Sequence, residues 1–178
     1  ASVRFGNVLN TNGSVLQILK NQIDNNLPLT ITSTDMSRFF ITMNQALDLC
    51  IHAAEHMIGG EIFVMNMGCC NIMSLAKAIC GNKPFEYEVI GQKSGEKQYE
   101  ELVTETEVIR TVCENELYTI IPDTLDMMFP EIISKYKEAY DQLPRLASSL
   151  RSDRNMLEDS EVLNLLQSNG LVGNTLAK

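Results

Sequence analysis

The chain has 178 residues, 44% of them hydrophobic, with a formal net charge of −9 and a pI near 4.7. That length suits one domain, or one domain with a tail, and is enough to bury a core unaided. The acidic balance repels phosphate backbones and argues against nucleic-acid binding, and no apolar run approaches the roughly 18 residues of a membrane span.

Val3–Val8 reads as a short buried strand rather than a secretory leader, so a cytoplasmic setting is expected. A turn at Asn10–Gly13 follows, with Ser14 placed to cap a helix over Val15–Asp24 whose Val15, Ile18, Leu19 and Ile23 recur at helical spacing. Leu29–Thr32 alternates and is β-branched, which predicts a strand. Ser33–Arg38 reads as a loop. Asn44–Ile58 is predicted helical, with Ala46, Leu47, Cys50, Ala54 and Met57 on its apolar face and Gly59–Gly60 ending it. Glu61–Met65 predicts a strand, and Ile72–Ile79 a helix closed by Gly81. Phe85–Ile90 predicts a strand, Gly91–Glu96 a tight polar loop and Lys97–Leu102 a helical turn. Leu117–Ile121 is a further strand. Pro130 suits the first turn of a helix running to Leu143, which Pro144 stops. Leu146–Leu157 is loosely patterned, and Glu158–Gln167 is a short amphipathic helix. The order is mixed α/β, divided at Pro144 into an α/β portion, 1–143, and a helical tail, 144–178.

Several loops hold residues suited to an anion. Asn7 closes the first strand and its amide can donate to an oxyanion. Gly13 and Ser14 open a helix whose free N–H groups and positive dipole end favour negative charge; the plainer reading is a strand, a turn and an N-cap. Arg38 can make a two-pronged contact with a diphosphate, or simply pair with Asp35. Lys93 lies between Gly91 and Gly95, where the backbone can approach a ligand closely; it also suits a plain surface lysine.

Other patterns carry less. His52-Ala-Ala-Glu55-His56 fits the H-x-x-E-H zinc-peptidase pattern, but Asp48, His52, Glu55 and His56 form one polar stripe, as a solvated helix face does. The cysteines at 50, 69, 70, 80 and 113 are odd in number and include no CxxC, so reduced thiols and no metal site are expected. No G-x-G-x-x-G and no Tyr-x-x-x-Lys occurs anywhere in the sequence.

VRFGNV, GSVLQILKNQI, PLTIT, DMSRFFIT, GGEIFVMNMG and GEKQYEEL together resemble, in order and spacing over residues 2–122, the carboxyl-terminal half of one branch of the extended short-chain dehydrogenase/reductases. That branch is the polysaccharide-biosynthesis group of UDP-N-acetylglucosamine 4,6-dehydratases and UDP-sugar epimerases. SDRNMLEDSEVLNLL resembles the terminal segment of the dehydratase-type members.

The resemblance implies an α/β fold: the substrate-binding half of such an enzyme, lacking the N-terminal Rossmann dinucleotide-binding half, with a helical C-terminal tail. It implies that Asn7, Ser14 and Val15 lie by the nucleotide diphosphate and base, and that Thr30, within Leu29–Thr32, lines uracil and ribose. Arg38 would reach ribose or diphosphate. Lys93-Ser94-Gly95-Glu96-Lys97 stands for the family's R-P-G-E-K: Lys93 replaces a diphosphate-binding Arg and loses its fork geometry, Ser94 replaces a stiffening Pro, and Glu96 would hold ribose hydroxyls.

The implied function is the UDP-sugar-binding portion of an NAD(P)-dependent UDP-N-acetylhexosamine dehydratase or epimerase, with UDP-N-acetylglucosamine as the ligand. The alternative is a non-catalytic binding or interaction module derived from one. The family's NAD(P) loop and catalytic Tyr and Lys lie upstream of VRFGNV, so no catalytic residue and no cofactor are expected in these residues. A dinucleotide-binding half, or a second copy, is expected to cover the Val3–Val8 strand.

Overall fold

In the computed structural model of the protein, residues 1–81 and 83–172 are described. In chain order the elements are β1 (Ser2–Arg4), β2 (Asn7–Val8), α1 (Val15–Asp24), β3 (Leu29–Ile31), β4 (Ser37–Ile41), α2 (Met43–His56), β5 (Ile62–Met65), β6 (Cys69–Asn71) and α3 (Ile72–Cys80). They continue with β7 (Tyr87–Val89), β8 (Glu101–Val103), α4 (Glu105–Val108), β9 (Thr111–Glu114), β10 (Leu117–Ile120), a 3-10 turn at Leu125–Met127, α5 (Pro130–Tyr140), β11 (Leu150–Arg151) and α6 (Asp159–Ser168). The chain forms two compact units. One comprises Ala1–Phe5, Met43–Met67 and Glu101–Arg151; the other comprises Gly6–Thr42, Gly68–Glu100 and the chain from Ser152.

The first unit is built on a four-stranded sheet in the order β1-β5-β10-β9. β1 lies parallel to β5, with Val3 opposite Phe63, whereas β10 is antiparallel to both β5 and β9. Asn115, at φ 53°, supplies the left-handed residue that the β9–β10 turn requires. α2 covers β1 and β5, burying Leu49 and Ala53 against Phe63. Val112, Ile121, Tyr136 and Tyr140 form a second cluster under α5. Glu61 is fully buried, because its carboxylate accepts the N–H groups of Ile58 at 2.6 Å and Gly59 at 2.9 Å and so ties the turn between α2 and β5. Arg4 grips the Glu107 carboxylate with two hydrogen bonds of 2.9 and 3.0 Å.

The second unit holds two small sheets, β2-β4-β6 and β3-β7. β2 runs parallel to β4, with Asn7 opposite Phe40, and β3 runs parallel to β7. Its core joins Leu16 and Leu19 of α1, Leu29 and Ile31 of β3, Leu75 and Ala76 of α3, and Val162 and Leu166 of α6. α6, expected in a helical tail apart from the α/β portion, is thus a wall of this core.

Several elements differ from expectation. Val3–Val8 is not one strand: β1 and β2 belong to different sheets, and the break falls at Phe5–Gly6. Gly6 permits the change of course, since a Cβ there would sit 2.5 Å from the Phe39 Cβ and carbonyl oxygen. Arg38 lies in β4 rather than a loop; all five residues of that strand are buried, so no alternation marks it. Lys97–Leu102 is not a helical turn: its end enters β8, which pairs with β11. The sheet takes the Ala46, Leu49 and Ala53 face of α2, and of the stripe expected to be buried, Ala46, Leu47, Cys50, Ala54 and Met57, all but Ala46 are exposed. α2 carries two apolar stripes, and periodicity alone does not rank them.

Candidate functional site

The residues singled out by sequence, Asn7, Ser14, Val15, Thr30, Arg38, Lys93 and Glu96, all fall in the second unit. Asn7 is exposed at the start of β2. The chain leaves β2 through a turn in which the Thr11 hydroxyl donates to the Val8 carbonyl at 3.1 Å and the Ser14 N–H donates to the Thr11 carbonyl at 3.0 Å. Gly13, at φ 75°, completes the turn and delivers Ser14 to the N-cap of α1 with extended dihedrals.

Ser14 occupies the expected position without the expected bond. Its hydroxyl makes no capping hydrogen bond, and Ser14 Oγ is a buried polar atom without a partner among the described residues. The first turn of α1 contains no acidic residue. The other helices of this unit are closed. Asn71 accepts the Met73 N–H at 2.7 Å above α3, and Glu158 and Glu161 form a reciprocal capping box on α6. α1 therefore presents a positive dipole end and N–H groups unclaimed among the described residues, beside a hydroxyl that none of those residues engages.

Thr30 is committed. Its hydroxyl accepts from the Gln22 amide at 2.8 Å and its N–H donates to Gln22 Oε1 at 3.1 Å, which ties β3 to α1. β3 and β7 then end together, with the Ile90 N–H on the Ile31 carbonyl, so the 91–96 loop starts where β3 stops.

Arg38 is buried, and its guanidinium points inward. Nη1 donates to the Ser37 carbonyl at 2.7 Å and Nη2 to the Lys97 carbonyl at 2.8 Å. The Glu96 and Glu100 carboxylates each stand 3.8 Å away. The sequence predicts a side chain that reaches a ligand; this one straps the segment from Glu96 to Glu100 onto β4. Glu96 in turn accepts the Lys93 N–H at 3.2 Å and donates its own N–H to the Lys93 carbonyl at 3.0 Å. With Gly95 at φ 83°, residues 93–96 match a type II turn. Lys93 is exposed at its first corner and its ammonium joins no ion pair among the described residues. The order of dependence runs from Arg38 to Glu96 to Lys93.

Ser37 and Ser152 are supports that sequence reading missed. Both are buried, their hydroxyls are 2.9 Å apart, and Ser152 Oγ accepts the Glu100 N–H at 2.9 Å. A serine in a loosely patterned stretch carries no signal of a partner 115 residues away.

The remaining reactive types are quiet. Burial pushes the Cys70 thiol up to about 12 and raises Cys69 as well, so neither is an activated nucleophile. His52 and His56 stack at 4.1 Å beside a pocket of about 550 Å³ lined with Glu114 and Glu116. Burial, then His56, lowers the His52 pKa. Among the described residues no group of three metal-ligating side chains gathers. No helix there is long and apolar enough to cross a membrane.

Comparison with known proteins matches this architecture. Residues 1–122 fit the family model described as polysaccharide biosynthesis protein. A capsular polysaccharide biosynthesis protein, CapD of Staphylococcus aureus, is 34% identical over 148 residues, covering 77% of this chain and 25% of the relative. A UDP-glucose 4-epimerase of Rickettsia bellii is 33% identical over 162 residues, covering 90% of this chain and 48% of the relative. The crystal structure of Pen from Bacillus thuringiensis superimposes with a TM-score of 0.80 at 33% identity, over 96% of this chain and 51% of that one. The chain thus spans about half the length, or less, of the proteins it matches. With mixed α/β units, an ordered motif set and these relatives in agreement, the chain belongs to the polysaccharide-biosynthesis family of epimerase- and dehydratase-type extended short-chain dehydrogenases/reductases.

Proposed function

We propose that the second unit is the UDP-sugar subsite of an NAD(P)-dependent UDP-N-acetylhexosamine 4,6-dehydratase or epimerase. The observation that carries the reading is the open start of α1, where Ser14 Oγ is buried without a partner among the described residues and the first turn holds no acidic residue. A diphosphate supplies what that end lacks, namely acceptor oxygens and negative charge. Asn7 adds an amide donor, and Lys93 adds a point charge from the 93–96 turn. Arg38 serves as the positioning residue: it fixes Glu96, which presents a carboxylate to ribose hydroxyls. Thr30, locked by Gln22, forms part of the wall for base and ribose.

The nicotinamide cofactor is a different matter. The turn before α1 reads Thr11-Asn12-Gly13-Ser14, not G-x-G-x-x-G, and none of the five tyrosines is followed four residues later by lysine. These residues do not form a dinucleotide cradle of that pattern.

Ser14→Asp tests the site. Aspartate caps a helix as well as serine or better, so the melting temperature holds or rises. Its charge repels a diphosphate, so the affinity for UDP-N-acetylglucosamine in calorimetry falls about tenfold or more. Lys93→Ala lowers affinity without touching stability. Absence of any heat with UDP or UDP-N-acetylglucosamine, or a Ser14→Asp variant that binds like the parent, would overturn the reading.

A further inference from the structure

The sequence contains two Asn-Gly pairs, Asn12-Gly13 and Asn169-Gly170, and the fold holds them differently. An asparagine followed by glycine is the least crowded setting for attack of a main-chain nitrogen on a side-chain amide, because glycine has no Cβ to block the approach. Asn169-Gly170 is locked at the end of α6. Asn169 Nδ2 donates to the Leu165 carbonyl at 2.8 Å, and the Gly170 N–H donates to the Gln167 carbonyl at 2.9 Å. Amide and nucleophile are each engaged elsewhere.

Asn12-Gly13 is free. Both residues are exposed, and among the described residues no hydrogen bond engages the Asn12 side chain or the Gly13 N–H. The turn is spanned by the Ser14 N–H on the Thr11 carbonyl at 3.0 Å, a bond that leaves the Asn12–Gly13 peptide plane itself untied. Gly13, at φ 75°, has open space where a Cβ would stand. Glycine takes either sign of φ at little cost, so this plane can rotate until the Gly13 nitrogen meets the Asn12 amide carbon.

We propose that Asn12 is a self-modification site, at which spontaneous deamidation leaves a carboxylate that closes the anion-binding start of α1. The Gly13 nitrogen gives its proton to solvent base and attacks Asn12 Cγ. The new N–Cγ bond closes a succinimide ring as the Cγ–Nδ2 bond breaks, and Nδ2 departs with a proton as ammonia. Water then opens the ring, giving aspartate by attack at Cγ and isoaspartate by attack at the main-chain carbonyl. Water is consumed, ammonia is released and nothing is oxidised. The effect on binding rests on the nucleotide reading. Residue 12 stands just ahead of the Ser14 N-cap, and the first turn of α1 holds no acidic residue. The new carboxylate is favoured by the positive end of the helix and repels a diphosphate from it. Isoaspartate also lengthens the main chain before Gly13 and shifts Ser14. Binding competence therefore decays with the age of the chain.

Timed incubation of the full chain in mildly alkaline buffer tests the proposal, with peptide mass mapping and calorimetry on the same samples. The expected result is an amide-to-acid mass change and isoaspartate at residue 12, accumulating faster as pH rises. Residue 169, in the same tube, changes about tenfold more slowly or less. The affinity for UDP-N-acetylglucosamine falls in step with the modified fraction, and unincubated Asn12→Asp shows a loss of about tenfold or more with its melting temperature held. Asn12→Gln, which would have to close a larger ring, stays unmodified and keeps its affinity through the incubation. An unmodified Asn12, or modification at 169 as fast as at 12, overturns the proposal by mass alone. Modified chain or Asn12→Asp that binds like the fresh parent overturns the closing step. A fresh parent that binds no UDP or UDP-sugar overturns the nucleotide reading and the closing step with it, while the mass arm still decides whether residue 12 is the modified one.

Discussion

At the scale of single residues, the structure turns several ordinary side chains into constraints. Gly6 is required where β2 approaches β4. Gly6→Ala forces a methyl to within 2.5 Å of Phe39 backbone and Cβ atoms, and chemical denaturation is expected to register a loss of roughly 1–3 kcal/mol, typical of overpacking. Glu107 binds Arg4 and its own capping residue Thr104. Burial opposes its ionisation, but the hydrogen bonds from Arg4 and Thr104 outweigh it and hold the carboxyl at about 2, below the ordinary 4.5. A depressed carboxylate contributes its full stabilisation above its unfolded value and loses it as pH falls through the folded one. The urea midpoint of the parent therefore drops between pH 4.5 and pH 2, and Glu107→Gln, lower at neutral pH, shows a shallower drop over that window. A Glu107→Gln profile parallel to the parent's would contradict this account.

At the scale of elements, what matters is which ends and faces are closed. α3 and α6 have capped starts, and α1 does not. The 93–96 turn is closed by Glu96, with Ser94 at the corner where a type II turn favours proline. Ser94→Pro is expected to raise stability by about 0.4–1 kcal/mol by restricting the unfolded chain and to tighten UDP-sugar binding by holding Lys93 in place. A calorimetric affinity unchanged or weakened by this substitution would separate the turn from the ligand. α6 is a structural wall, since Val162 and Leu166 are wholly buried. Leu166→Ala is expected to cost about 2–5 kcal/mol in denaturant titration.

At the scale of the whole molecule, the chain threads each unit three times, so neither unit is a contiguous segment. Deleting residues 152–178 removes Ser152 and α6 from the second unit, and the prediction is loss of its cooperative unfolding, observed as a broadened or absent calorimetric transition. Local pattern determined a good deal of this protein: α1, β3, α3 and α5 lie where apolar period, glycine and proline put them, because those signals act within a few residues. The family was likewise legible, since its motifs are fixed in order along the chain. That Ser14 would lack its capping bond, and that Arg38 would turn inward onto the Lys97 carbonyl, could not be read in advance. Tertiary structure alone decided the split of Val3–Val8 between two sheets, the strand at Arg38 and the choice of stripe on α2. Each depends on partners far away in sequence: Phe39 against Gly6, Gln98 and Glu100 against β4, Phe63 against Leu49. A chain with two usable apolar stripes states no preference until a sheet takes one of them.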